Sequence, residues 1–101
     1  MSISSAMLAG VSGLVSNSSA LAAISDNISN VNTTGYKRVQ SNFQTLVTSQ
    51  GRGGAYSAGG VTATTRQFIT QQGLPQRTGF STDLAIAGNG FFVVTEKPEN
   101  L

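Results

Sequence analysis

The side chains that ordinarily carry catalysis are almost missing from this sequence. Its 101 residues include no histidine and no cysteine, which removes the near-neutral imidazole base, the thiolate nucleophile and the usual zinc ligands together. The side-chain carboxylates are Asp26, Asp83, Glu96 and Glu99. The first two fall in different elements, and the last two have no third donor to complete a metal site. Serine is abundant, but no base accompanies it. Gly88 and Gly90 make a Gly-x-Gly with no helix after it and no third glycine at the dinucleotide spacing, so a turn is the better reading than a phosphate cradle. Arg38, Arg52, Arg66 and Arg77 stand far apart and the net charge is only +2, whereas nucleic-acid binding needs a clustered, phosphate-facing stripe. We therefore expect no catalytic residue, no metal site, no cofactor and no nucleic acid.

The chemistry this chain does have is apolar burial. Ile3, Met7, Gly10, Leu14, Asn17, Leu21, Ile24, Ile28 and Val31 follow steps of four and three. That is a heptad seam, running for about four heptads, long enough to separate a supercoiling signal from a chance amphipathic turn. The candidate packing residues are Ile3, Met7, Leu14, Leu21, Ile24, Ile28 and Val31. A helix over residues 2–31 would be about 45 Å long. Asp26 is its sole charge, so the flanks lack the Glu and Lys pairs that finish an ordinary two-stranded coil. They hold Leu8, Val11, Val15 and alanines among many serines, which suits close neighbours on several sides. Gly10 and Gly13 each cost about 1 kcal/mol relative to Ala, so the helix alone is marginal. Periodicity by itself fits one helix of a compact bundle equally well. No second long helical pattern exists in this chain to receive the seam, which points to another molecule or another segment as partner.

The elements around the seam follow from turn chemistry. Asn30-Val31-Asn32-Thr33-Thr34-Gly35 ends the helix, with Asn32 and Gly35 as the turn residues, because Asn and Gly tolerate the left-handed backbone. Tyr36, Val39, Phe43 and Leu46 repeat the helical step and predict a short second helix. Residues 50–60 are Gly-rich and read as a flexible connector. Residues 61–71, rich in Thr and Val, read as extended. The clearest local signal is a β-hairpin, residues 83–87 and 91–95 around Gly88-Asn89-Gly90, with Asn89 and Gly90 in the turn. Two strands make no stable sheet alone, so residues 61–71 or strands elsewhere must complete it. The expected fold is α+β: a long amino-terminal coiled-coil helix, a Gly-rich connector, then a hairpin leading into an incomplete β domain. The corresponding regions are 1–31, 32–72 and 73–101. The front of the chain is apolar but has no Lys or Arg before Lys37, and Ser and Gly interrupt it throughout. Neither a cleaved signal peptide nor membrane insertion is expected. An amphipathic module lying on a membrane surface is a competing reading, weakened by the absence of a basic face and of aromatic residues in this stretch.

Two blocks carry a family resemblance. Ala23-Ile24-Ser25-Asp26-Asn27-Ile28-Ser29-Asn30-Val31-Asn32-Thr33-Thr34-Gly35-Tyr36-Lys37 resembles the signature of bacterial flagellar rod and hook axial proteins. Asp83-Leu84-Ala85-Ile86-Ala87-Gly88-Asn89-Gly90-Phe91-Phe92-Val93-Val94 is similar to the motif leading into the first β domain of that family. The opening Met1-Ser2-Ile3 and the long segment between the blocks are closest to the hook branch, with rod and hook-associated relatives as the alternatives. The resemblance implies a structural subunit that is not an enzyme. It implies export, without a cleaved signal, through the flagellar type III export apparatus. It further implies a homopolymer, a helical tube whose inner layer is made of terminal helices, which adjoins other flagellar axial proteins, links rod to filament and transmits torque. Family members also carry a carboxy-terminal helix and outer domains, which the resemblance places beyond Leu101.

Overall fold

The computed structural model describes residues 3–48 and 56–100. Contacts divide the chain into two compact units, Met1–Ile69 and Thr70–Leu101. In the first, a long helix α1 (Ile3–Ser29) precedes an antiparallel two-stranded ribbon of β1 (Val39–Thr45) and β2 (Val61–Gln67). The α+β order expected from the sequence is present.

α1 forms where apolar residues recur every three or four positions without a proline to interrupt them. It has neither an acidic first turn nor a basic last turn, so nothing complements its dipole. It stops two residues before Val31. Asn30 N still bonds Asp26 O at 3.1 Å, but Val31 N tightens onto Ile28 O at 3.3 Å, and the Asn30 amide competes for the Asp26 carbonyl at 2.9 Å. A chain of turns follows, Thr33 N to Asn30 O and Tyr36 N to Thr33 O, and Gly35 takes φ +76, a conformation open to residues without a Cβ.

Two expectations about the β regions are corrected. The segment predicted as a short second helix is strand β1. Its Val, Phe and Thr favour a pleated surface, a helix that short gains little, and pairing with β2 satisfies its backbone. The register runs from Val39↔Gln67 to Thr45↔Val61, so the ribbon joins segments on either side of the Gly-rich stretch. Residues 50–55 of that stretch lie outside the described residues; Tyr56 to Gly60 reach β2 without regular structure. The second correction concerns residues 83–95, which form no strand ladder. In the second unit, described through residue 100, Gln72 Nε2 donates to Ile86 O at 2.9 Å, Asp83 N bonds Phe80 O, and a 3-10 turn spans Pro98–Asn100. Leu84, Phe91, Phe92, Val93 and Val94 are all exposed. Among the described residues of this unit no sheet or helix covers them, and pairing the two runs alone buries too little apolar surface to offset the entropy of ordering them.

Candidate assembly surface

α1 has two faces with opposite uses. With about 100° of rotation per residue, Ala9, Ser12, Ser16, Ala20, Ala23 and Asn27 fall within about 40° of Ser16, forming a stripe of small and polar residues. Ile3, Met7, Leu14, Leu21 and Ile28 lie about 120–180° away on the same wheel. The ribbon covers the small stripe. Ser16 (3% exposed) and Ala23 (7%) are the buried residues among those described, and Val39, Ser41, Val61 and Ala63 meet them from the strands, half-buried. The heptad line faces away, with Ile3 82% and Leu21 65% exposed, and Leu8, Val11 and Val15 are exposed beside it. Monomeric proteins rarely leave a contiguous apolar surface of this length in water. Covering each such side chain is worth roughly 1.5–3 kcal/mol.

Polar latches fix the ribbon to the helix. Phe68 N donates to Arg38 O and Leu46 N to Gly60 O, both at 3.0 Å, so even-numbered residues of the strands face each other in bonded pairs and odd-numbered residues turn their backbone groups outward. The first outward residue of each strand is held by α1. Val39 N donates to Asn27 Oδ1 (2.8 Å) and Val39 O accepts from Asn27 Nδ2 (2.7 Å), so the carboxamide imitates a neighbouring strand. Tyr36 Oη donates to the same Oδ1 at 2.9 Å. At the other end Val61 N donates to Ser12 Oγ at 3.1 Å, and Ser16 Oγ makes a long 3.5 Å contact to Val61 O. Gly60, at φ +83, lets the chain pass over the helix: a Cβ there would collide with Ser12 Oγ and lie 3.3 Å from Ala9 Cα. The far end of the ribbon is closed by the Arg38 guanidinium, 3.9 Å from the centroid of the Phe68 ring, with Arg66 at 5.3 Å.

Of the residues singled out from the sequence, Ile3, Met7, Leu14, Leu21, Ile24 and Ile28 sit on exposed helix surface, with Ile24 toward its edge. Val31 lies in the turn beyond α1, exposed, beside Asn32 and Gly35. Asn89 and Gly90 lie exposed in the second unit. Asn27, Ser12, Ser16 and Gly60 were not singled out, although the small residues recur at the same three-and-four step as the apolar ones. No group of metal-ligating side chains occurs among the described residues. By length and composition α1 is long and apolar enough to cross a membrane, a property that core helices of soluble proteins share.

Comparison with known proteins gives a consistent picture. The family described as flagella basal body rod protein matches residues 7–37, spanning the latched stretch of α1 and the turn at Gly35. The chain is 70% identical over its whole length to a flagellar hook protein FlgE of Caulobacter vibrioides. It is 44% identical over 93% of its length to that of Rhizobium meliloti, and 36% identical over 87% to that of Treponema pallidum. It spans 17%, 23% and 22% of those relatives, about a fifth of their length. No solved structure matches.

Proposed function

The chain belongs to the flagellar rod and hook axial protein family, and from that premise we propose that it is part of a structural hook subunit which polymerises through α1 into a helical tube. The observation that carries this reading is the opposition of faces on α1: the ribbon takes the small residues and leaves the heptad line for neighbours. A tube in which each helix is packed by others needs apolar side chains on more than one side, which is how Leu8, Val11 and Val15 are disposed beside the seam. Stacking buries what the single chain exposes, so much of the stability of α1 comes from assembly.

In this reading residues 1–31 are the assembly helix, residues 32–72 the connecting segment that carries the ribbon, and residues 73–101 the start of a β domain. The partners are further copies of the chain, adjoining axial proteins and the type III export apparatus, and the place of action is the hook at the basal body. Export without a cleaved signal fits a helix whose first positive charge, Lys37, comes after it. The role is structural, not catalytic.

The test is Leu21→Asp in the full-length protein, with Leu21→Met as the control that keeps an apolar chain. Asp removes about 2 kcal/mol of burial and adds a desolvation penalty of several more in every subunit. The Asp variant should be made and exported yet form no hooks, and Leu21→Met should assemble. Hooks of normal length from Leu21→Asp would sink the proposal. Cosedimentation of the chain with lipid vesicles would favour the membrane-surface reading instead.

A further inference from the structure

We propose that Asn89-Gly90 is a self-modifying site, at which the Gly90 peptide nitrogen cyclises onto the Asn89 side chain and converts the amide to an acid. The nitrogen attacks the Asn89 carboxamide carbon. A carbon–nitrogen bond forms, the carbon–NH2 bond breaks, the peptide proton departs with the leaving group as ammonia, and a succinimide remains. Water then opens either carbonyl of the ring, giving aspartate or isoaspartate. One water enters and one ammonia leaves, and no oxidant or reductant is needed.

Three observations select this asparagine. The residue after the amide controls access to its own nitrogen, and Asn89 is followed by glycine, whereas Asn27, Asn30, Asn32 and Asn42 precede Ile, Val, Thr and Phe. The reacting groups are uncommitted: neither the Asn89 amide nor the Gly90 N–H has a hydrogen-bond partner among the described residues. By contrast the amides of Asn17, Asn27 and Asn30 donate to Gly13 O, Val39 O and Asp26 O at 2.7–2.9 Å, which turns them away from their own backbone. Finally, Asn89 is exposed, outside any helix or strand, and follows Gly88 at φ +103, so the backbone rotation that ring closure requires breaks no ladder and displaces no packed side chain. Asn42, in β1 opposite Thr64, has no such freedom.

The product differs from its parent in charge and in backbone. The acid lowers the net charge from +2 by one. Isoaspartate routes the main chain through the side-chain carbon, lengthening it by one atom at residue 89, one residue ahead of the apolar run Phe91-Phe92-Val93-Val94. The attacking nitrogen must lose its proton, so conversion accelerates as pH rises above neutral. This inference is independent of the assembly reading.

The test is incubation of the chain at mildly alkaline pH, with peptide mapping by mass spectrometry and labelling by an isoaspartyl methyltransferase. The peptide holding Asn89 should convert before those holding Asn32 and Asn42 and should carry the label. Asn89→Gln should abolish that label, and Gly90→Ala should slow the conversion several-fold. Circular dichroism of Asn89→Gln should match the parent, because the Asn89 side chain is exposed and unpacked; Gly90 takes φ +157, so the same measurement on Gly90→Ala separates a local backbone adjustment from slower ring closure. Retention of the Asn89 amide for as long as that of Asn42, or an unchanged rate in Gly90→Ala, would overturn the proposal.

Discussion

Replacing Asn27 by Ala should loosen the ribbon from the helix without melting the ribbon. The Asn27 side chain makes three hydrogen bonds, two to the Val39 backbone and one from Tyr36 Oη, at 2.7–2.9 Å. At a net value of about 1 kcal/mol each they sum to about 3 kcal/mol. The site is half-buried, so water replaces part of what is lost, leaving about 1–2 kcal/mol, or a 5–30-fold change in the docked population. Tyr36→Phe removes one of the three and should cost about a third as much. Asn27→Asp keeps the acceptor for Val39 N but sets a carboxylate oxygen against Val39 O, and should be at least as damaging as Ala. The assay is amide exchange, read by mass spectrometry on full-length protein assembled into tubes. Val39 N–H should lose protection by the factor given, while Phe68 N–H, bonded to Arg38 O within the ribbon, should not. Unchanged protection at Val39 in Asn27→Ala would show that the carboxamide is not what holds the strand to the helix.

Two further outcomes follow from the same geometry. In a verified monomer of the isolated chain, amides of residues 14–28 should be weakly protected, because Ser16 and Ala23 are the sole buried residues of α1; strong protection there would refute coupling of helix stability to assembly. Gly35→Val should cost more than about 1 kcal/mol and misdirect β1, since φ +76 excludes a β-branched residue, while Gly35→Asn should be tolerated; normal hook yield from the Val variant would remove the turn from the account.

The helix and the turn that ends it could be read from local pattern, because the three-and-four step of Ile3, Met7, Leu14, Leu21 and Ile28 is long and Gly35 has a conformational reason to be there. β1 was misread because Tyr36, Val39, Phe43 and Leu46 satisfy a helical step equally well, and the strand that decides the matter lies beyond a Gly-rich stretch where no local signal reaches. The hairpin expected at residues 83–95 shows the reverse failure: strong local chemistry, but no strand or α-helix among the described residues of its own unit to bury its faces. The latches were missed for a different reason. Ser12, Ser16 and Asn27 read as weak helix formers when only propensity is weighed, yet they are the polar side chains that reach strand backbone groups. Ser19, which by spacing from Leu21 lies off the seam, borders Thr62 and Ala63 on the ribbon side.

The exposed heptad line also sets how association should respond to heat. Covering side chains such as Leu14, Leu21 and Ile28 releases ordered water, so near room temperature the driving force is entropic and the heat capacity falls on association. The polar latches within the subunit carry no such signature. In the proposed tube, warming from the cold therefore strengthens contacts between copies more than those inside each one, and chilling loosens the joints before it loosens the subunits themselves.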